Sequence, residues 1–521
     1  MQNLKREYAM PARSIIKTRI KVFLWGKEIG TLTWVPAQGN SYFNFSDEYF
    51  RMGVDLCPIT HPLNDPSTRL AILGESEKNG DQTKAIYQGL PPFLADSLPD
   101  RWGNAIFEKW FAENKVENAN KTPVMKLSFI GKRAMGAFEF VPELKSGKTR
   151  GEVLLPLLYQ QAVALEKELS EREVKDGPDL TLDALKALGT SAGGRQKKVI
   201  VSRTPEGKYV SGETSTDRGN RHFILKFNTP EYCLSEIEMA FFEMCRDADI
   251  KMMDSEPITV EGIKHFLTER FDRRDGKKVV TQTLAAINPE ANSYEDLFQT
   301  CRRLNLPEPE ITELFRRTVF NFLSNNTDDH KKNFSFLMEE DGLWHLAPAY
   351  DMTFIIATDG NRPESSHCMS LAGKRDGITI RELVGFGKRM GIKGPERIIG
   401  KIKDTLSNFD TYAARNSINA YYTQMIRKRI GELCETATEE IGKAFKKDGW
   451  DVQDVKFERT LQGNIHMHAK VFGNEEKLVI TPKKPLYQEI MDKGFNDMSI
   501  KNLKDIFMKH MVPVLKKRYH L

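Results

Sequence analysis

Two acidic positions and an amide lie in the order that phosphoryl transfer to a hydroxyl group requires. The run TDDHKKN at residues 327–333 contains Asp328, Asp329 and Asn333, and the later run APAYD ends at Asp351. In kinases an early Asp accepts the proton of the attacking hydroxyl, an Asn shortly after it holds Mg²⁺, and a later Asp holds Mg²⁺ against the phosphates. The spacing therefore predicts a kinase that uses ATP, with Asn333 and Asp351 as Mg²⁺ ligands and one of the adjacent aspartates as the base.

A polar turn after a helix is the simpler interpretation of residues 325–330, because Asn and Asp are common in turns. The sequence that follows favours a catalytic loop instead. Residues 334–338 have the pattern of a strand, residues 339–342 that of a hairpin turn, and the next strand ends at Asp351. A loop, two strands and then a metal-binding Asp is the order of a kinase active site.

These motifs resemble the HipA family of bacterial serine/threonine kinase toxins. The resemblance is carried by Thr-Asp-x-His-x-Lys-Asn-Phe-Ser, from Thr327, and by Pro-x-Tyr-Asp, from Pro348. The His-Arg-Asp and Asp-Phe-Gly motifs of standard protein kinases are absent from the sequence. Residues 90–103 and 131–140 are similar to the N-terminal subdomain of the same family, so the resemblance begins well before the catalytic block.

The resemblance assigns roles within the catalytic block. It implies that Asp328 is the catalytic base and that Asp329 is a variable position. His330 would lie near the phosphates, and Tyr350 near the nucleotide. On this assignment, removing the Asp329 carboxylate should have a much milder effect than removing the carboxylate of Asp328.

A glycine-containing loop at residues 189–198 precedes a strand at residues 199–201. Its backbone N–H groups could cradle phosphates, although it is not a Walker A sequence and a plain helix-to-strand turn has a similar composition. The loop resembles the HipA phosphate loop, where a hydroxyl residue is autophosphorylated and the loop is then ejected. The resemblance implies autophosphorylation at Thr190 or Ser191. The implied nucleotide contacts are Thr190, Ser191, Ala192, Gly193 and Gly194.

A strand at residues 221–227 carries one lysine near its end, Lys226, which suits a grip on the α- and β-phosphates of ATP. A solvent-facing lysine on an edge strand is the alternative, and the resemblance favours the ATP lysine. The following helix supplies Glu236 and Glu238 as candidate ion-pair partners. Glu238 fits better, although Ser235 and Glu238 also have the spacing of a capping box, which is a structural role.

Residues 265–273 alternate like a strand and resemble the HipA hinge. The resemblance implies that the backbone of Glu269 and Phe271 binds adenine, and that Asp272 and Gln282 reach the ribose. A charged hairpin turn explains residues 272–276 equally well, because Asp-Gly is a strong hairpin signal. Both interpretations can hold together.

The composition is that of an ordinary soluble protein, with 40% hydrophobic and 29% charged residues in 521. A chain of this length is too long for a single core and predicts about three units of roughly 100 to 200 residues. No apolar run approaches roughly 18 residues and the N-terminus lacks a signal-peptide core, so we expect a cytoplasmic protein without membrane contact. The six cysteines contain no CxxC pair, which argues against a zinc site.

The patterns and the resemblance together predict an α+β protein with a bilobal, kinase-related, HipA-like fold. Its segments are an N-terminal α/β subdomain (1–150), a kinase small lobe with phosphate loop, ATP lysine and hinge (151–280), a mostly helical large lobe (281–432) and an appended basic α/β domain (433–521). Residues 443–521 carry 16 Lys and Arg against 10 Asp and Glu. This charge suits contact with nucleic acid or an acidic partner, but a brace with solvated lysines explains it as well.

The function expected from the resemblance is that of an ATP- and Mg²⁺-dependent serine/threonine protein kinase, the toxin of a toxin–antitoxin pair. The family implies a helix-turn-helix antitoxin of the HipB type as partner, contact with operator DNA through that antitoxin, and protein substrates that include aminoacyl-tRNA synthetases. The alternative is a nucleotide-binding regulatory module that holds an antitoxin on DNA with little phosphoryl transfer. The intact set Lys226, Asp328, Asn333 and Asp351 argues against the alternative.

Overall fold

The structure of the protein is a computed structural model that describes most of the chain. The described residues are 19–77, 82–99, 101–113, 121–143, 154–170, 196–212, 219–356, 366–446, 452–459, 465–471, 474–480 and 506–519. Within them the strands pair in small antiparallel sheets. Helices dominate the second half of the chain. The predicted α+β class is confirmed.

A five-stranded sheet comes first along the chain. Its spatial order is β4-β3-β2-β1-β5, and its strands are β1 Arg19–Leu24, β2 Lys27–Val35, β3 Asn40–Phe45, β4 Ile72–Leu73 and β5 Phe138–Val141. Trp25 and Gly26 have positive φ angles, as the tight turn between the first two strands requires. The helices of this unit are α1 Asp47–Met52, α2 Pro92–Ala95, α3 Arg101–Glu113 and α4 Pro123–Ile130.

The small lobe contains a second five-stranded sheet, with the order β7-β6-β8-β10-β9. In chain order its elements are α5 Leu155–Ser170, β6 Lys198–Arg203, β7 Tyr209–Ser211, β8 Arg221–Lys226, α6 Leu234–Asp247, β9 Ser255–Val260 and β10 Ile263–Glu269. The central strand β8 ends at Lys226. A separate apolar core, which includes Val199, Phe223 and Leu267, stabilises this sheet. The ATP lysine predicted from the sequence is therefore on a central strand, not an edge strand.

The large lobe begins after a hairpin, β11 Arg273–Arg274 and β12 Lys277–Lys278, which turns at Asp275 and Gly276 as predicted. Three strands form its sheet, in the order β13 Val280–Thr283, β14 Ser335–Met338 and β15 Trp344–Leu346. The remaining elements are helices: α7 Leu284–Ile287, α8 Tyr294–Arg303, α9 Glu308–Ser324, α10 Ile380–Arg389, α11 Pro395–Ser407, α12 Phe409–Asn416 and α13 Ala420–Lys446. Short 3₁₀ segments lie at Pro36–Gln38, Pro66–Arg69, Gln82–Tyr87 and Pro230–Tyr232.

Helix α9 delivers the chain into the predicted catalytic loop. Pro307 lies just before its first turn, where a proline has no backbone N–H to lose to the helix. Its last two turns are buried almost all round, so the end of the helix is fixed in the core. Asn325 then ends the helix in the left-handed conformation, φ +58°, which Asn tolerates better than most residues. The loop that follows thus starts from a rigid point.

One continuous apolar core joins the first sheet to the large lobe. It contains Leu24 and Phe93 from the N-terminal unit together with Leu284 and Phe336 from the large lobe. A hydrogen bond crosses the same contact, because the Tyr87 hydroxyl donates to the Ala285 carbonyl over 2.8 Å. The N-terminal unit is therefore packed as a part of the catalytic body.

Helix α13 runs through residue 432, where the sequence suggested a boundary. Beyond it lie an antiparallel sheet in chain order, β16 Val452–Arg459, β17 Ile465–Val471 and β18 Asn474–Ile480, a π-helical turn at Phe507–Met511 and helix α14 Val512–Tyr519. In the ranges that the structure describes, no helix combines the length and the apolar character needed to cross a bilayer.

Candidate active site

A cleft of about 240 Å³ lies between the small-lobe sheet and the segment from His330 to Met352. The predicted residues that line it are Lys226, Glu238, Glu269, Phe271, His330, Asn333, Tyr350 and Asp351. The apolar part of its wall includes Met135, Met252, Phe266 and Met352, which suits a flat aromatic base. The predicted phosphate-loop residues Thr190, Ser191, Ala192, Gly193 and Gly194 lie outside the described residues.

The Lys226 ammonium contacts two carboxylates at the wall of this cleft. It lies 2.5 Å from Glu238 Oε1 and also forms an ion pair with Asp351. Glu236 does not take this position, because its carboxylate accepts a hydrogen bond from the Asn228 amide, 2.9 Å away. The structure thus places Glu238, on helix α6, beside the lysine.

The capping-box interpretation of residues 235–238 is wrong. Cys233 is the N-cap of α6, so Ser235 and Glu238 both lie inside the helix, and the Ser235 backbone N–H donates to the Asn228 side chain over 3.1 Å. Because Glu238 is not used to cap the helix, its carboxylate is available to Lys226.

Burial and neighbouring charges have opposite effects on the pKa values of Lys226, Glu238 and Asp351. Burial alone would lower the pKa of Lys226, but the carboxylates of Asp351 and Glu238 outweigh it and raise the pKa above its usual value. Burial raises the pKa of Glu238, and the lysine offsets only part of that rise. Burial would also raise the pKa of Asp351, but the Lys226 charge outweighs it and holds that pKa below its ordinary value. Lys226 and Asp351 are therefore charged at neutral pH.

The backbone at Asp351 is in a conformation that is rare for an Asp. Its φ angle is +52°, in the left-handed region. The Asn326 amide donates to the Asp351 carbonyl over 3.3 Å, which ties this residue to the end of α9. Strained backbone of this kind is concentrated at functional sites. Here it directs the carboxylate to the ammonium of Lys226.

Asp328 is on the exposed side of the catalytic loop. Its side chain is 53% exposed, and Oδ1 lies 3.7 Å from His330 Nε2. The Asn333 amide nitrogen donates to the Asp328 carbonyl over 2.7 Å. This bond uses the nitrogen of the Asn333 amide and leaves its oxygen for another ligand.

The adjacent Asp329 is buried, with 1% of its surface exposed. Its carboxylate accepts hydrogen bonds from the Tyr294 hydroxyl at 2.6 Å and the Cys368 backbone N–H at 2.8 Å, and it is paired with His367 Nδ1 at 2.8 Å. These contacts give Asp329 a structural role, and the expectation that its loss is milder for phosphoryl transfer than the loss of Asp328 stays a prediction. Asp329 joins the catalytic loop to helix α8 and to the segment from residue 366.

Tyr350 and Phe271 face each other across the cleft, with ring centroids 5.6 Å apart. The Tyr350 hydroxyl donates to the Lys332 carbonyl over 2.7 Å and lies 2.6 Å from Ser335 Oγ. Glu269 lines the cleft at the end of β10, and its carboxylate pairs with Arg221 at 2.7 Å. The Glu269 carboxylate is thereby occupied, whereas its backbone borders the cleft.

Asp272 and Gln282 do not line the cleft, so its geometry gives no support to the expected ribose contacts. Asp272 is fully buried between Arg270 and Arg273, each 2.8 Å away. Burial alone would raise the pKa of Asp272, but the two positive charges outweigh burial and hold that pKa far below its usual value. Gln282 is also fully buried, and its amide donates to the Leu56 carbonyl over 3.0 Å. Asp272 instead connects the hinge region to the N-terminal unit, and Gln282 connects the large-lobe sheet to that unit.

Asp96, Thr283 and Lys332 are among the polar residues of the cleft that sequence reasoning missed. The Asp96 carboxylate accepts hydrogen bonds from the Thr283 backbone N–H at 2.6 Å and from the Thr283 hydroxyl at 2.8 Å. Asp96 is 187 residues from Thr283 in the chain, so no local pattern could reveal the contact. Lys332 was visible as the lysine of the motif Thr-Asp-x-His-x-Lys-Asn, although no role was assigned to it.

The oxygen donors near Asp351 have the chemistry of a Mg²⁺ site. Mg²⁺ prefers carboxylate and amide oxygens and binds through one or two carboxylates together with phosphates of the substrate. The Asp351 carboxylate and the Asn333 amide oxygen supply this set, and both residues line the same cleft. The described residues contain no cluster of three or more His, Cys, Asp or Glu that could hold a metal ion.

Comparisons with known proteins agree with this architecture. Residues 20–141 match the HipA N-terminal domain, and residues 190–437 match the HipA-like C-terminal domain. A Sinorhizobium fredii protein named "Putative kinase Y4mE" is 26% identical over 330 residues, which are 58% of this chain and 73% of that protein. A Haemophilus influenzae protein named "Putative kinase" is 26% identical over 199 residues, which are 34% of this chain and 56% of that protein.

A solved structure shares the fold. It is the Shewanella oneidensis toxin–antitoxin complex of HipA, HipB and operator DNA, and its matching chain has a TM-score of 0.55 and 17% identity. The match covers 80% of this chain and 96% of that chain. Both domains of the family are matched, in the same order and over most of the described residues, so this protein belongs to the HipA family.

Proposed function

We propose that this protein is an ATP- and Mg²⁺-dependent serine/threonine protein kinase. The observation that carries the proposal is the contact of Lys226 with both Glu238 and Asp351 at the wall of the cleft. In protein kinases a strand lysine must be paired with a helix glutamate while a later aspartate holds the metal, and this arrangement positions the phosphates of ATP. The names of the two relatives support the same activity.

Each catalytic residue has one task in the proposed transfer. Asp328 accepts the proton of the substrate hydroxyl while the hydroxyl oxygen forms its bond to the γ-phosphorus. The bond from the γ-phosphorus to its bridging oxygen breaks, and ADP leaves with the electron pair. Lys226 neutralises the phosphates on the small-lobe side. Bound Mg²⁺, held by Asn333 and Asp351, would neutralise the charge that develops between the phosphates.

The base of ATP would lie in the apolar part of the cleft. We assign the backbone of Glu269 and Phe271 to the adenine edge, because both residues border the cleft at the end of β10. The Phe271 and Tyr350 rings supply flat surfaces beside the base. His330 lines the cleft on the catalytic-loop side, where the phosphates would lie.

Autophosphorylation at Thr190 or Ser191 is part of the proposal. A phosphate in this loop would add close to two negative charges. These charges would compete with ATP for the backbone N–H groups of the same loop, so modification should silence the kinase. Mass spectrometry after incubation with ATP tests this, and a modified site elsewhere with residues 189–194 unmodified would contradict it.

We extend the proposal to the partners of the family. The matching Shewanella chain was solved with HipB and operator DNA, which supports a HipB-like helix-turn-helix antitoxin as the partner that links this kinase to DNA. The protein would then be the toxin of the pair, and its substrate a protein hydroxyl. An aminoacyl-tRNA synthetase is the substrate that the family resemblance suggests.

Incubation of the purified chain with γ-labelled ATP and Mg²⁺ tests the kinase proposal. We expect label to be incorporated into the chain and into a substrate protein, and expect Asp328→Ala and Asp351→Ala each to reduce incorporation by at least about 100-fold. Asp376→Ala, at an exposed position outside the cleft, is the matched control. Tight ATP binding without incorporation by the unaltered chain would favour the regulatory module instead.

A further inference from the structure

An acidic side chain of the N-terminal unit reaches into the catalytic cleft. Asp96 follows helix α2 and lines the cleft together with Ser97 and Leu98. A carboxylate at the wall of a site for a polyphosphate would repel the ligand unless a cation lay beside it. The presence of Asp96 therefore calls for a positive partner.

Lys332, in the catalytic loop, is a cation that lines the same cleft as Asp96. Burial raises the pKa of Asp96, and the charge of Lys332 is the largest influence that opposes this rise. Lys332 is half-buried and lines the cleft, and its ammonium forms no ion pair with the described residues. A lysine held within a cleft without a bound carboxylate is free to meet an anionic ligand.

The backbone of Lys332 is fixed from two sides. Its carbonyl accepts the Tyr350 hydroxyl over 2.7 Å, as described above. On the other side, Leu284 N–H donates to the Phe334 carbonyl over 2.7 Å, and Ala285 N–H donates to the Lys331 carbonyl over 3.2 Å. These two donors follow Thr283 directly in the chain. Asp96, through its two bonds to Thr283, thus anchors the strand end on which the catalytic loop rests.

We propose that the N-terminal unit completes the active site, with Lys332 as a residue that binds the γ-phosphate of ATP and Asp96 as the positioning residue for that lysine. The inference rests on the proposed kinase function. Lys226 and Lys332 then hold the phosphates from opposite walls of the cleft. Asp96 acts on Lys332 through its two hydrogen bonds to Thr283, at the strand end that supports the catalytic loop.

This assignment predicts a preference for ATP over ADP. Only ATP carries the phosphate that Lys332 would bind, whereas both nucleotides offer their α- and β-phosphates to Lys226. Replacing Lys332 by Met keeps most of the length of the side chain and removes the charge. We expect Lys332→Met to weaken ATP binding about tenfold, to leave ADP binding within about twofold of the unaltered chain, and to slow phosphoryl transfer.

The test measures ATP and ADP binding by calorimetry, and label transfer, in the full chain. Its variants are Lys332→Met, Asp96→Asn and the double variant. Because Asp96 acts through Lys332, the double variant should be no worse than Lys332→Met alone, so the two effects should not add. Asp55→Asn is the matched control, since Asp55 is a carboxylate of the same unit that accepts two backbone N–H groups, at 3.1 and 3.0 Å, away from the cleft.

Three outcomes would overturn the inference while leaving the kinase proposal in place. The first is an unaltered ATP preference in Lys332→Met, and the second is additive effects in the double variant. The third is an Asp96→Asn variant that behaves like Asp55→Asn, with a lower melting temperature and equal losses of ATP and ADP binding. By contrast, absence of label transfer in the unaltered chain would contradict the kinase proposal itself.

Discussion

Two neighbouring aspartates of the catalytic loop occupy opposite environments. Asp328 is more than half exposed, whereas Asp329 is buried and has three polar partners. A base must reach a substrate hydroxyl, which suits the exposed carboxylate. A buried carboxylate with all its partners satisfied suits a structural joint, because its loss leaves buried donors unpaired.

Substitution should separate these two roles. Asp328→Ala should abolish transfer and change the free energy of unfolding by less than about 0.5 kcal/mol, because its side chain is exposed. Asp329→Ala should lower that free energy by about 3 kcal/mol, since it strands the Tyr294 hydroxyl, His367 and the Cys368 N–H. Urea unfolding, followed by fluorescence, measures the free energy of unfolding of both variants. Equal stability of the two variants would contradict the assignment, and so would an active Asp328 variant.

The candidate catalytic residues could be named from the sequence because their types and spacing within short runs are specific. Asn333 and Asp351 came from such runs, and Lys226 from its place at the end of a strand. The role of Asp329 could not be predicted, because it depends on Tyr294 and His367, which are 35 and 38 residues away. Spacing along a chain gives no information on contacts of this range.

At the scale of elements, the hinge region is attached to the N-terminal unit by a buried charge cluster. Asp272 contacts Arg270, Arg273 and the Gly136 backbone N–H, the last over 2.7 Å. The Arg273 guanidinium also donates to the carbonyls of Ala134 and Gly136. The hairpin interpretation of residues 272–276 was correct, but no local pattern indicates that this Asp is the centre of an inter-element contact.

Removing the Asp272 carboxylate should therefore lower the stability of the fold, and should not act directly on nucleotide binding. Asp272→Ala leaves two buried guanidinium groups without their partner, and breaking such a pair costs about 3–5 kcal/mol. Thermal unfolding, with Asp376→Ala as the exposed control, should show a large loss only for the first variant. If Asp272→Ala kept its stability but lost ATP affinity, the ribose assignment made from the sequence would be restored.

Two buried histidines on adjacent strands of the small lobe predict a pH-dependent stability. Burial lowers the pKa of His222 and of His265 to about 4. The unfolded chain, with a pKa near 6.5, takes up protons first as the pH falls, so stability is full above about pH 6.5 and is lost towards pH 4. We expect each histidine to account for about 2 kcal/mol lost between pH 7.5 and pH 5.

The measurement is the free energy of unfolding in urea at both pH values. The double variant His222→Gln, His265→Gln should lose less stability on acidification than the unaltered chain does. His345→Gln, whose side chain is 49% exposed, is the matched control and should retain the full loss. An identical pH dependence in the double variant would show that other groups cause the acid sensitivity.

At the scale of the whole molecule, the sequence suggested a string of units, whereas the structure has an N-terminal unit and a large lobe with one core. The small-lobe sheet packs in a second core, which also contains Trp102 and Ile106 of helix α3. Composition shifts along a chain mark linkers, but they do not show whether two units bury their apolar faces against each other. The fold class, by contrast, could be predicted from the sequence, because alternation and helical periodicity are local properties of the chain. The structure confirms it.

The extent of helix α13 decides how much of the C-terminal region the large lobe needs. Helix α13 packs on the large-lobe core through Ile426 and Ile430, and Cys434 also packs against that core. A chain that ends at residue 432 would therefore cut the helix within its packed part, whereas a chain that ends at Lys446 keeps the whole helix. We expect the chain 1–446 to keep the melting temperature and label transfer of the full chain. The 1–432 chain should be less stable.

A comparison of the full chain with the 1–446 chain also tests what the basic segment does. Its excess of six positive charges over residues 443–521 predicts binding to nucleic acid that weakens steeply as salt is added, because bound counterions are released. Filter binding of the full chain and of the 1–446 chain to duplex DNA, over a series of salt concentrations, measures this directly. Loss of salt-sensitive binding in an active 1–446 chain would support a targeting role for the segment. An insoluble 1–446 chain would instead make residues 447–521 a brace of the large lobe.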